Sequence, residues 1–235
     1  MLDFPALIKR SLDELKRNYT LGLPTFIAVL VVTFLSLFIL KNPEDTEQIL
    51  VMSVISMIIS FIAHGITLVM AAESLEQGTP SLLSGVGKSL RYLPSFAASA
   101  LMVGSIIIGG SLMLFVPGII AAYLLTFVFP AIVIEGLGPV GAIKRSYKMA
   151  IANARETLML FSFLFSTGMI FVLVNLGLTY IPIVGQFIEL VLSGFFGAMV
   201  ALILIGAFKA LSAIPAEGKA IIKKADGRPV RRACA

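Results

Sequence analysis

Few residues in this chain are of types that do chemistry, and most of those lie inside apolar runs. His64 is the only histidine. Its imidazole titrates near neutral pH and could carry a proton. The plain alternative is a neutral ring hydrogen-bonded to a neighbouring helix or a bound water. Glu189 is the only carboxylate inside a spanning run, one turn from Gln186. Asn175 and Tyr180 stand near the matching end of the preceding run. The four could face one another across the turn 181–185 and hold a cation or a polar headgroup. As structure alone, Glu189 reaches water or is held protonated by Asn175 or Gln186. No second histidine and no carboxylate in its run give His64 a metal set, and no cofactor motif is present. No serine stands beside an identifiable base. Gly85-Val86-Gly87-Lys88-Ser89 lacks the leading glycine and the strand of a phosphate loop. The residues therefore predict no enzyme, no cofactor and no metal site.

The basic residues are the other candidates. In the stretch 139–155, Val140, Ile143, Tyr147, Ala150, Ile151 and Ala154 recur at helical spacing, with Lys144, Arg145 and Lys148 on the other side. This is the pattern of a helix lying flat in a membrane interface. Phe4, Leu7, Ile8, Leu12, Leu15 and Tyr19 make a similar stripe opposite Lys9, Arg10, Lys16 and Arg17. Leu82, Leu83, Val86, Leu90 and Leu93 make a third, opposite Lys88 and Arg91. The residue types align as well. Ile8-Lys9-Arg10-Ser11 reads as Ile143-Lys144-Arg145-Ser146 does, and Gly87-Lys88-Ser89 fits the same frame. Each copy precedes a pair of apolar runs. The reading is three repeat-like units, 4–72, 80–134 and 139–210, followed by a basic tail at 211–235. Together the basic faces would form a collar at phosphate level that attracts anionic headgroups. Setting the topology is the plain reading of the same charges.

The elements that must position these residues are spans. The chain is 58% hydrophobic and only 13% charged, which excludes an ordinary soluble domain. Apolar runs at 21–40, 49–72, 95–116, 119–134, 157–180 and 186–208 are spanning candidates. The expected fold is all-α and integral to the membrane. It has six transmembrane helices as three hairpins, each preceded by a basic amphipathic interfacial helix, in one polytopic domain over 1–235. The first apolar run follows a charged helix and is long enough to span, so no cleavable signal peptide is expected. The single cysteine, Cys234, excludes a disulfide framework and reads as an incidental thiol. Six spans put both termini on one side. Seventeen of the eighteen Lys and Arg residues fall on that side, the exception being Lys41. The bias of short cytoplasmic loops toward Lys and Arg places both termini in the cytoplasm of a multi-pass cell-membrane protein. This accounts for the net charge of +5 without nucleic acid.

Small residues mark where helices approach in lipid. Ser95, Ser99, Ser105 and Gly109 do so in the third run, and Ser193, Gly197 and Ala201 in the sixth. They serve packing within the bundle or a homo-oligomer interface. Pro130, in the fourth run, should kink that helix and is a candidate hinge.

Phe127-Val128-Phe129-Pro130-Ala131-Ile132-Val133-Ile134-Glu135-Gly136, then Gly138-Pro139 and Ala142-Ile143-Lys144-Arg145-Ser146, form a longer pattern. With Ile181-Pro182-Ile183-Val184-Gly185-Gln186, it resembles the membrane domain of glycerophosphoryl diester phosphodiesterases. It also resembles related six-helix proteins of bacteria and archaea. The resemblance covers the second half of the chain by motif and the first half by architecture. It implies that phosphodiester chemistry belongs to a separate soluble domain, absent from this sequence, and it carries no catalytic residue onto this chain. A stand-alone member would meet a protein partner in trans or have none.

The sequence thus predicts a non-enzymatic membrane protein that organises lipid, anionic lipid in particular, or a partner protein at the cytoplasmic face. The alternative is a transporter or channel for a small or amphiphilic solute, motivated by the repeats, the interior glycines, Pro130, His64 and Glu189.

Overall fold

A computed structural model of the chain describes residues 3–39, 45–113, 115–178, 180–181 and 184–213. The turn around Lys41, part of the turn 181–185, the side chain of Gln186, and the tail with Cys234 lie outside the described residues. Among the described residues there are helices and no strands. They are α1 (Phe4–Arg17), α2 (Leu23–Ile39), α3 (Thr46–Gln77), α4 (Leu82–Met113), α5 (Phe115–Leu124), α6 (Val128–Glu135), α7 (Pro139–Ala152), α8 (Ala154–Leu178) and α9 (Val184–Ser212). A 3-10 turn, Tyr19–Gly22, joins α1 to α2. Six spans are long and apolar enough to cross a membrane, the fourth being α5 and α6 together. The protein is an all-α polytopic membrane protein.

Two expectations about boundaries are corrected. The second basic segment is not a separate interfacial helix. It is the first part of α4, which runs 32 residues and continues through Pro94. At about 1.5 Å per residue such a helix is about 48 Å long, well beyond the hydrocarbon thickness, so its basic end projects past the core. A proline removes one backbone bond, whereas ending the helix there would strand several polar groups near lipid. The turn expected at Pro117-Gly118 also shifts. Both residues lie in the first turn of α5, where proline's missing N–H costs little. The corner is tight. A Cβ on Gly110 would stand 3.1 Å from the Gly118 backbone nitrogen, and one on Gly118 would collide with Ser111 Oγ.

The faces that pack are not the most apolar ones. Leu83 and Leu90, on the expected stripe of α4, are exposed, while Gly85, Ser89, Phe96 and Ser99 are buried. A Cβ on Gly85 would reach 2.5 Å from Met70 Cγ, and one on Gly65 would meet Phe96 and Ser89 at 3.2 Å. In α7 the buried residues are Ala142, Ser146, Met149 and Ala150, whereas Val140, Tyr147 and Ile151 stay exposed. Lipid is as apolar as leucine, so large apolar side chains gain nothing by leaving it, and small residues let helices close up.

The last described helix, α9, packs against α1, α2, α3, α6 and α8. Ala198, Ala201, Leu202, Ile203, Ile205, Ala207 and Phe208 on it are fully buried. The core sits in the half of the bundle that carries α1 and α7. Phe127 packs on Phe208, and Phe129 sits between Phe61 and Phe96. The other half is splayed, with Phe187, Ile188, Val191 and Phe195 exposed. The sixth-span stripe serves contacts inside the bundle: Gly197 lies against Thr25, and Gly194 against Gly22. Gly104 and Gly109 of α4, by contrast, have nothing within 4 Å.

The approach of α9 to the 3-10 turn yields a prediction. A Cβ on Gly194 would stand 3.1 Å from the Gly22 carbonyl oxygen, a backbone atom that cannot swing away. Gly194→Val should destabilise the protein by about 1–3 kcal/mol, as overpacking does. Gly168→Val, at a position with nothing within 4 Å, should be close to neutral. Reversible unfolding in mixed micelles, followed by circular dichroism, measures both.

Candidate functional site

The ends of the helices on the face that carries α1 and α7 gather nearly all the polar side-chain contacts between elements. Helices α1 and α7 are alike in detail. Each is 14 residues long, buries a serine at the same position (Ser11, Ser146), and ends on an asparagine. Asn18 has φ −125° and ψ 67°, and Asn153 has φ −126° and ψ 49°. The Asn18 amide donates to Glu14 Oε1 at 2.8 Å, to Ser74 Oγ at 3.1 Å and to the Gly78 carbonyl at 3.1 Å. Ser74 Oγ in turn donates to Glu14 Oε1. Gly78 caps α3 at φ +75°, a conformation that favours glycine. One asparagine thereby ties α1 to the end of α3.

Three ion pairs continue the frame. Glu73 is only 6% exposed. Lys88 Nζ lies 2.7 Å from its Oε1, and Ser84 Oγ donates to the same oxygen at 2.6 Å. Arg145 donates through Nε to both oxygens of Glu135, at 2.8 and 3.0 Å, while its Nη2 lies 2.7 Å from Oε1. Its guanidinium also stands 5.9 Å from the centre of the Phe208 ring and reaches Ser212 Oγ at 3.4 Å. Lys209 meets Glu76 at 2.8 Å. Lys88 and Arg145 are therefore engaged with carboxylates and hold helices together. Lys9, Arg10, Arg91, Lys144 and Lys148 are exposed, and none forms an ion pair among the described residues.

The fourth span is interrupted over 125–127. Ser146 of α7 repairs the break. Its hydroxyl donates to the Leu124 carbonyl at 2.8 Å and accepts from the Phe127 amide at 3.0 Å. Pro130 is the third residue of α6, in the first turn, where it needs no backbone donor. The expected kink is thus a break one turn earlier, bonded across to α7.

The intramembrane polar residues are not drawn together. His64 is exposed on α3, beside the buried Ala63 and Gly65. The Asn175 amide donates to the Phe171 carbonyl at 3.0 Å within α8, and its Oδ1 is buried without a partner. Glu189 is half-buried on α9, and Tyr180 is exposed. No hydrogen bond joins Asn175, Tyr180 and Glu189 among the described residues. No cluster of three or more His, Cys, Asp or Glu side chains that could hold a metal forms among the described residues.

Two clefts open on the basic face. One, of about 490 Å³, lies between α1 and α9 and is lined by Asp3, Leu7, Arg10, Ser11, Leu202 and Lys209. The other, of about 370 Å³, lies between α4, α5 and α7 beneath Lys144 and Lys148. The sequence reading missed Glu73, Glu135, Ser146 and both capping asparagines. Asn18 and Asn153 were discoverable in part, since asparagine is a common helix stop signal, but the apolar periodicity runs on past each of them to Tyr19 and Ala154. The chain matches no known protein-family model, no curated protein and no solved structure.

The bond across the break can be tested. Ser146→Ala leaves the buried Phe127 amide and Leu124 carbonyl without this partner, at an expected cost of about 1–3 kcal/mol. Unfolding in mixed micelles reads the cost. Faster hydrogen exchange at the Phe127 amide locates it.

Proposed function

We propose that this is a non-enzymatic membrane protein that organises anionic lipid at its cytoplasmic face. One observation carries the reading. After the ion pairs to Glu73, Glu76 and Glu135 are formed, the exposed cations Lys9, Arg10, Lys144 and Lys148 remain without a carboxylate among the described residues, on two short helices beside the ends of the spans. Cations at that level attract anionic headgroups by about 1 kcal/mol each. Their long stems allow the charge to sit at phosphate depth while the methylenes stay in apolar surroundings. The cytoplasmic assignment rests on the Lys and Arg bias of the short loops. The resemblance to the phosphodiesterase membrane domain agrees with it, because there the chemistry belongs to another domain. The shared length, buried serine and terminal asparagine of α1 and α7 support descent from a repeated unit. A protein partner in trans would use the same face.

The broken fourth span favours a second reading, a transporter or channel, since interrupted helices line many transport sites. Ser146 already satisfies backbone groups at this break, and its surroundings, Phe127, Val128, Ala131 and Ile132, are fully buried and apolar. Proteoliposomes that release a panel of small solutes no faster than protein-free vesicles would set this reading aside.

The lipid reading is tested by native mass spectrometry of protein released from nanodiscs of mixed phosphatidylglycerol and phosphatidylcholine. Wild type should keep stoichiometric phosphatidylglycerol. The variant with Lys9, Arg10, Lys144 and Lys148 all changed to Gln should not, with its unfolding midpoint unchanged. Wild type emerging bare would refute the reading. Lys88 and Arg145 are left intact, because changing them also removes helix-to-helix ion pairs.

A further inference from the structure

We infer that the cleft between α4, α5 and α7 is a site for one anionic phospholipid, with an acyl chain in the cleft and the phosphate on Lys144 and Lys148. This inference rests on the lipid reading above and assigns it to one place. The cleft floor is apolar: Ile106 of α4, Ala121 and Leu124 of α5, and Ile143 of α7 line it. Its volume of about 370 Å³ falls within the range of about 300–1,000 Å³ typical of small-molecule sites. A floor without polar groups offers water nothing, and it suits hydrocarbon.

The rim supplies the sign. Lys144 and Lys148 are four residues apart on α7, so they stand on one edge of the helix, and both line the cleft with their apolar stems. No acidic residue lines the cleft. The nearest cation in sequence, Arg145, points elsewhere and is held by Glu135. Tyr147, between the lysines, is half exposed, as a ring at the headgroup level would be. The cleft between α1 and α9 differs, because Asp3 lines it beside Arg10, and an anion there would meet a carboxylate. The charge and the apolar floor coincide at α7.

The floor also explains why this is a lipid and not a free anion. Lysines alone would take any phosphate. Lysines over a hydrocarbon slot select a molecule that carries both parts, and the slot holds the chain once the headgroup is placed.

The test is competitive retention of phosphatidylglycerol against phosphatidylcholine, read by native mass spectrometry from a nonionic detergent. Lys144→Gln/Lys148→Gln should lower phosphatidylglycerol retention about thirtyfold, the loss expected for two interfacial cations. Ala121→Phe should lower it with both lysines in place, because the ring fills the slot. Lys9→Gln/Arg10→Gln should leave this one lipid bound, and excess inorganic phosphate should not displace it. Both lysine changes are at exposed positions, and circular dichroism melts verify that the folds are intact. Retention unchanged in the Lys144/Lys148 variant overturns the site. So does displacement by inorganic phosphate. Loss confined to the Lys9/Arg10 variant also overturns the site but leaves the general lipid reading standing. Wild type that retains no phosphatidylglycerol overturns both.

Discussion

Hydrocarbon offers no hydrogen bonds, and this one constraint accounts for most of the irregular features of the fold. Each backbone amide and carbonyl at depth must find a partner inside the protein. The chain meets the requirement in three ways. Helix α4 runs on through Pro94 and forgoes one bond. Helix α5 takes Pro117 into its first turn, where no bond is forgone. The fourth span does break, and there a side chain from α7 supplies the missing donor and acceptor. Ser146 can do this only because α7 lies against the break, so an interfacial helix has become part of the interior wiring of a span.

The same solvent divides labour among helix faces. In water an amphipathic helix has two sides. Here α7 has three: a side buried against protein (Ala142, Ser146, Met149), a large apolar side left exposed (Val140, Tyr147, Ile151), and a basic side (Lys144, Lys148). The spans, their number and the clustering of basic residues were legible in the sequence, because length and hydropathy decide whether a run crosses a membrane. The packing faces were not. A leucine facing lipid and a leucine facing a helix look the same to a periodicity argument. Leu83 and Leu90 read as part of an apolar stripe, but periodicity could not tell whether that stripe meets protein; in the fold both are exposed.

The polar frame was half legible. Lys88 and Arg145 stood out as charges, but their partners Glu73 and Glu135 lie 15 and 10 residues away in sequence, across helix ends whose positions no local pattern fixes. Carboxylates at the ends of apolar runs look like ordinary boundary residues. In the fold they divide the cations into two kinds, those that fasten helices and those left exposed without an ion pair among the described residues. His64 and Glu189 were conspicuous for being rare in such surroundings, and rarity alone did not bring them together.

Helix α9 is the last of the described helices, yet it is the one around which α1, α2, α3 and α6 are packed. Synthesis proceeds from the N-terminus, so those helices enter the bilayer before their common neighbour exists. Until α9 arrives, Gly22 of the 3-10 turn and Thr25 of α2 lack the Gly194 and Gly197 that they pack against. Assembly of this core therefore waits for α9, through contacts between helices far apart in sequence. A ribosome stalled within the sixth span would leave five inserted helices without their shared core, a natural substrate for membrane quality control.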